Sequence, residues 1–240
     1  MKSKGFTEDQ KRLRRRILEI CLKRSFSHLG SCLSSVDIIE AVYNVKKNNE
    51  KFVLSNGHAG IALYVVLEKN GLIKPADVER LNVHPDRNPK LGIDVSTGSL
   101  GQGLPIAVGL ALADKKKNIF CLISDGECME GSIWEALRIA YERKLSNLKI
   151  VVNANGWGAY RSISLVNLAR MFRGFGYKPI IIDGHNLGEI KRCLEVKEKE
   201  KPALLFARSE VNQFPFLKGL DAHYFLLNQN DYETALRLLK

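Results

Sequence analysis

No stretch of the 240 residues approaches the roughly 18 consecutive apolar residues that a membrane-crossing helix needs, so a membrane partner is not expected. The opening MKSKGFTEDQKRLRRR has no apolar segment and so does not read as a secretory signal. Cysteine is scarce and dispersed: Cys21, Cys32, Cys121, Cys128 and Cys193 are odd in number and contain no CxxC pair. That is poor arithmetic for a disulfide framework or a zinc site, and it fits a reducing cytoplasm. Internal repeats, low-complexity tracts and Pro/Ser-rich linkers are also missing. With 45% hydrophobic and 26% charged residues, the composition excludes a disordered chain, a collagen-like chain and a coiled-coil rod. A chain of this length can bury roughly 70–75% of its unfolded surface without covalent staples, and we expect one domain over residues 1–240.

Acidic residues are outnumbered, 26 against 37 Lys and Arg, for a net charge of +11. That balance favours an anionic ligand or partner. Much of the excess falls early, in Lys11, Arg12, Arg14, Arg15 and Arg16, a run that reads as a solvated helix face. No aromatic stacking motif accompanies it, and a nucleic-acid partner is not expected.

Four short runs read as strands buried on both faces: IFCLI (119–123), LKIVVN (148–153), PIIID (179–183) and ALLFA (203–207), with KFVL (51–54) a weaker fifth. Helical patterns alternate with them. Leu13, Ile17, Ile20 and Arg24 keep a three-to-four spacing, with Thr7 and Gln10 placed as a capping box. Residues 36–43, 59–69, 104–113, 132–143, 187–197 and 232–239 also read as helices. Alternation of this kind implies an α/β fold, an open, mostly parallel sheet with helices on both faces. Ligands of such sheets bind beyond the carboxyl ends of the strands, so the loops that follow strands should carry the chemistry.

Two such loops stand out. In Ser124-Asp125-Gly126-Glu127-Cys128-Met129-Glu130-Gly131, a carboxylate leaves a strand, a glycine lets a ligand approach, and a helix starts soon after. A carboxylate there suits Mg²⁺ bound to phosphate oxygens. Thirty residues on, Asn153-Ala154-Asn155-Gly156-Trp157 follows the next strand, one strand–helix–strand unit away. Each pattern alone is most often a turn. On adjacent parallel strands the two would share one sheet edge, where an Asn amide oxygen and a backbone carbonyl complete an oxygen donor set.

SDGECMEGSIWEA followed by LSNLKIVVNAN resembles the thiamine-diphosphate motif of the transketolase family, in particular the N-terminal subunit of split, two-chain transketolases. Further segments are similar in the same order: SHLGSCLS (27–34), FVLSNGHA (52–59), HPD (84–86), GIDVSTGSLGQG (92–103) and, more weakly, LDAHYF (220–225). The resemblance implies the family's thiamine-diphosphate-binding fold, with thiamine diphosphate and Mg²⁺ as cofactors. It places His28 at the thiazolium and substrate, His58 and Gly126 at the diphosphate, and His84 over substrate hydroxyls. The backbone at Gly98 and Leu100 would meet the aminopyrimidine. Asp125, Asn155 and the Trp157 carbonyl would hold the metal. Glu130 would join a carboxylate network across a subunit interface, and His223 would be a late histidine near the diphosphate. Four of the five histidines thus fall in family-like segments; His185, in IDGHN, is expected only to shape a loop after a strand.

The implied activity is transfer of a two-carbon ketol unit from a ketose or ketose phosphate to an aldose. Transfer of an acyl unit from a 2-oxo acid such as pyruvate to a sugar, and a non-catalytic scaffold, are the alternatives. In this family a glutamate on a pyrimidine-binding domain activates the cofactor. That domain is expected on a separately encoded C-terminal subunit, in an α2β2 assembly with sugar or sugar-phosphate substrates. Five departures from the family pattern point to a specialised relative: Ser124 and Ser27 where glycines are usual, Asn153 where an Asp is common, a short segment between Tyr43 and Phe52, and ARSEVNQ (207–213) in place of a Lys-Gly-rich segment.

Overall fold

A computed structural model describes residues 5–240; the first four residues, part of the stretch read above for a signal, lie outside it. Among the described residues, β1 (Lys51–Leu54), β2 (Ile119–Ser124), β3 (Leu148–Ala154), β4 (Ile180–Asp183) and β5 (Ala203–Arg208) form one sheet in the order β1-β2-β3-β5-β4, with every neighbouring pair parallel. The helices are α1 (Glu8–Arg24), α2 (Leu29–Val45), α3 (Gly60–Lys69), α4 (Pro75–Val78), α5 (Gly103–Ala113), α6 (Gly131–Glu142), α7 (Leu165–Gly174), α8 (Leu187–Glu195), α9 (Asp221–Tyr224) and α10 (Gln229–Leu238). None is long and apolar enough to cross a membrane.

Strand periodicity divides the core into two layers. Phe120, Leu122, Val151, Ala203 and Leu205 face the layer under α1, α2, α3 and α8. Ile119, Cys121, Ile123, Ile150, Val152, Leu204 and Phe206 face the layer under α5, α6 and α7. Both faces are covered, which is why these strands read as unbroken apolar runs. The edge strand β4 differs, because Ile181 remains 47% exposed. Of the helices that the sequence pattern did not suggest, α7 is capped by the Ser164 hydroxyl, which accepts from Asn167 N, and it buries Leu168, Ala169 and Phe172.

The start of α1 carries the expected capping box. Thr7 Oγ1 accepts from Gln10 N, and Gln10 Oε1 accepts from Thr7 N at 3.0 Å. Its basic run is less solvated than its composition implied. Arg14 is fully buried, in a two-pronged pair with Asp37 (3.0 and 2.5 Å), and its guanidinium lies 3.6 Å from the Phe6 ring centre. Arg12 pairs with Asp9, Arg15 with Glu8, and Arg16 with Glu19 and Glu68.

Three adjacent strands, β1, β2 and β3, end at the same edge. The ladder runs past them: Ser55 N donates to Leu122 O, and Asp125 N donates to Asn153 O. Loops carrying the family-like motifs therefore converge by topology.

Candidate active site

A cavity of about 190 Å³ opens at this edge. It is lined by His28, His58, His84, Gly98, Leu100, Gly126, Asn155, Trp157 and His223, together with Ser31, Ser124, Asn153 and Tyr160. Of the residues singled out from sequence, only Asp125, which is buried, and Glu130, which is exposed, do not line it.

Asp125 is fully buried at the end of β2. One carboxylate oxygen accepts from Gly126 N (3.0 Å) and the other from Gly156 N (2.6 Å), so the second loop is tied directly to the first. Burial outweighs these bonds and pushes the carboxyl up to about 7. A buried carboxylate held by neutral N–H groups is poised for a cation. Asn155 stands beside it on the β3 loop. Its Oδ1 accepts from Trp157 N at 2.9 Å, closing an Asx turn that shapes the backbone leading to Trp157. Carboxylate, amide and carbonyl oxygens together make the hard donor set that a small divalent cation takes. Among the described residues no group of three or more His, Cys, Asp or Glu side chains is placed to hold a metal ion.

Four histidines cluster in the cavity lining. His28 lies 4.6 Å from His223, 5.5 Å from His58 and 6.2 Å from His84, centre to centre, and His58 lies 5.2 Å from His223. Burial lowers His28 to about 4, aided by His223 and His84. Burial likewise lowers His58 to about 3, aided by His223, His28 and His84. Burial also lowers His223. His28 and His58 are therefore neutral at physiological pH and able both to donate and to accept. His28 sits at the head of α2 in a left-handed conformation (φ 66°, ψ 25°), unusual for a non-glycine residue, and its N–H donates to His223 O. His28 Nδ1 is buried without a hydrogen-bond partner, a nitrogen left for a ligand.

Close backbone approach explains two of the glycines. A Cβ on Gly57 would lie 2.6 Å from Thr97 C and Gly98 N, so only glycine lets the His58 loop meet the 97–103 loop. A Cβ on Gly30 would lie 2.8 Å from Ala222 Cβ, where α9 docks His223 against α2.

Sequence reading left Glu127 without a role, yet it braces the site. Fully buried, it accepts from Ser55 Oγ (2.6 Å), Gly101 N (3.0 Å) and Ser124 N (3.0 Å), joining the ends of β1 and β2 to the 97–103 loop. Asn153 is a second brace: it donates to Ser34 Oγ and Ser35 Oγ on α2 and accepts from Ser209 Oγ beyond β5. His185 behaves as a loop anchor, with Nδ1 2.7 Å from Asp37 Oδ2 and Nε2 accepting from Glu210 N. Glu130, at the head of α6, is solvent-exposed beside Gly101.

Residues 18–213 match the family described as "Transketolase, thiamine diphosphate binding domain". The 6-deoxy-6-sulfo-D-fructose transketolase subunit SqwG of Clostridium sp. (strain MSTE9) is 35% identical over 257 aligned residues, covering 95% of this chain and 94% of that protein. Transketolase-like protein 2 of Bos taurus is 32% identical over 209 residues, covering 76% of this chain, which spans only 33% of that longer protein. The crystal structure of transketolase from Campylobacter jejuni superposes with a TM-score of 0.81 at 25% identity, covering 97% of this chain and 42% of that one. The histidine cluster, the buried Asp125 beside Asn155 and these matches agree: the chain belongs to the transketolase family and carries its thiamine diphosphate binding domain.

Proposed function

We propose that this chain is the diphosphate-binding subunit of a transketolase-type enzyme, with Mg²⁺ held by Asp125, Asn155 and the Trp157 carbonyl. The observation that carries this reading is Asp125: a fully buried carboxylate, raised to about 7 by burial and bonded to backbone N–H groups, beside an amide from the adjacent strand. Bound there, thiamine diphosphate supplies the carbon nucleophile that breaks and makes bonds next to a carbonyl. The protein's own residues bind and orient. Gly126 and His58 contact the diphosphate, the Gly98 and Leu100 backbone meets the aminopyrimidine, and His28 with His84 holds the hydroxyls and carbonyl oxygen of a ketose. Neutral His28 can pass a proton to or from such an oxygen, and its Nδ1 has no hydrogen-bond partner within the protein. His223 completes the cluster next to the diphosphate.

The two-carbon ketol unit would move from a ketose or ketose phosphate to an aldose. A second polypeptide supplies the pyrimidine-binding half, in an α2β2 assembly. Support comes from the SqwG relative, a transketolase subunit matched over nearly its whole length. The outer side of α5 also supports it, since Ile106 and Leu112 there are exposed (38% and 41%) on a helix without a charged residue. Glu130, exposed beside that helix, would face the partner. The cytoplasm is the compartment that suits five free cysteines. The test is a ketol-transfer assay with thiamine diphosphate, Mg²⁺, a ketose donor and an aldose acceptor. Turnover that requires the second polypeptide supports the reading, and robust turnover by this chain alone overturns it.

A further inference from the structure

Outside the cavity lining, a charged cluster is sealed in the interior. Arg14 and Asp37 are fully buried and His185 nearly so. Arg14 donates to both oxygens of Asp37, and His185 Nδ1 lies 2.7 Å from Asp37 Oδ2. Because Glu210 N donates to His185 Nε2 at 3.0 Å, that nitrogen is the acceptor, and Nδ1 carries the proton toward Asp37. Burying an ion pair in this way seldom stabilises more than an apolar packing of the same volume, so its usefulness lies in the geometry it enforces.

The cluster grips one element in particular, the segment that follows β5. His185 holds Glu210 N. Arg14 Nε donates to Gln213 Oε1 (2.8 Å), and Gln213 Nε2 in turn donates to Leu33 O and Glu210 O (both 2.9 Å). The next clamp is Asn212 Oδ1, which accepts from Gly219 N at 2.7 Å. Four residues later His223 enters the cavity, where its carbonyl accepts from His28 N and Ala222 packs against Gly30. The segment is thus fixed at its root by the cluster and at its tip by α2.

We propose that Arg14, Asp37 and His185 are positioning residues for the active site: they set the root of residues 209–224 and thereby seat His223 against His28 and His58. The inference rests on the assignment of His223 to the site. A substitution can separate this role from mere stability. His185→Asn keeps a donor near the position of Nδ1, and so preserves the contact with Asp37, but removes the acceptor of Glu210 N–H. His185→Gln returns a polar atom to the reach of Nε2.

The test uses the full chain and two readouts. Hydrogen exchange of peptides covering 209–224 is expected to quicken about tenfold in His185→Asn, as expected for one lost buried hydrogen bond, with the β2 and β3 peptides unchanged and His185→Gln close to wild type. Calorimetric affinity for thiamine diphosphate with Mg²⁺ is expected to fall in His185→Asn and in His223→Ala, with no further loss in the double variant. Unchanged exchange over 209–224, or an equal loss of affinity when His185→Asn is added to His223→Ala, overturns the proposal. Should His223→Ala leave affinity intact, the assignment of His223 fails, and the exchange measurement still decides whether His185 holds the segment.

Discussion

Asp125→Asn should make the metal-free chain more stable at alkaline pH, against the usual outcome for a buried, hydrogen-bonded residue. In the folded chain burial raises the Asp125 carboxyl from 3.8 to about 7. Between those values the folded state holds a proton that the unfolded state has released, so stability falls as pH rises, and the loss is complete above about pH 7. Its size is about 4 kcal/mol, to order of magnitude. An amide removes that charge. It also leaves one of two backbone donors, Gly126 N or Gly156 N, without its acceptor, which costs about 1–3 kcal/mol. The net expectation is a gain of about 1–3 kcal/mol at pH 8 that turns into a loss of similar size toward pH 4, where the charge penalty is gone and the unpaired donor remains. Urea unfolding in EDTA at several pH values measures it. Saturating thiamine diphosphate and Mg²⁺ should stabilise the wild-type chain, by about 2.7 kcal/mol at a hundredfold excess over Kd, and the variant far less. A variant less stable than wild type at pH 8, or a difference that ignores pH, would refute the reasoning.

Three further outcomes follow from the same geometry. His28 and His58 are lowered to about 4 and about 3, so the folded chain resists protonation that the unfolded chain accepts near 6.5. Stability should therefore fall as pH drops below about 6.5, by up to about 1.4 kcal/mol per pH unit from His58, and His58→Asn should flatten that slope in a thermal-melt series. Gly57→Ala drives a Cβ into the backbone of Thr97 and Gly98; a loss of about 1–3 kcal/mol in urea, with weaker cofactor binding by calorimetry, is expected. Glu127→Gln turns an NH₂ toward groups that are themselves donors, and should lower stability by about 1–3 kcal/mol while raising exchange in the 97–103 loop.

How much was legible in the sequence depended on whether a residue's surroundings were local. The strands β2, β3 and β5 announced themselves because both faces are covered, and the Asp125 and Asn155 loops met because their strands are parallel neighbours. The four histidines arrived in one cavity as their motifs implied. β4 read as fully buried, but its place at the sheet edge leaves Ile181 exposed. Arg14 looked like one charge in a solvated run, since its partner Asp37 lies on another helix. Glu127 gave no signal because its three donors come from Ser55, Gly101 and Ser124, and only the folded chain brings the first two to it. The signal for α7 was present, in the Ser164 cap and the spacing of Leu168, Ala169 and Phe172.

The account depends on a cation at Asp125 and Asn155 anchoring the diphosphate of the cofactor. Isothermal titration of the chain with thiamine diphosphate, with and without Mg²⁺, tests this most directly. Binding that needs the metal and is lost in Asp125→Ala is the predicted result; no binding with both present and the second polypeptide added, or equal affinity in EDTA, would contradict it.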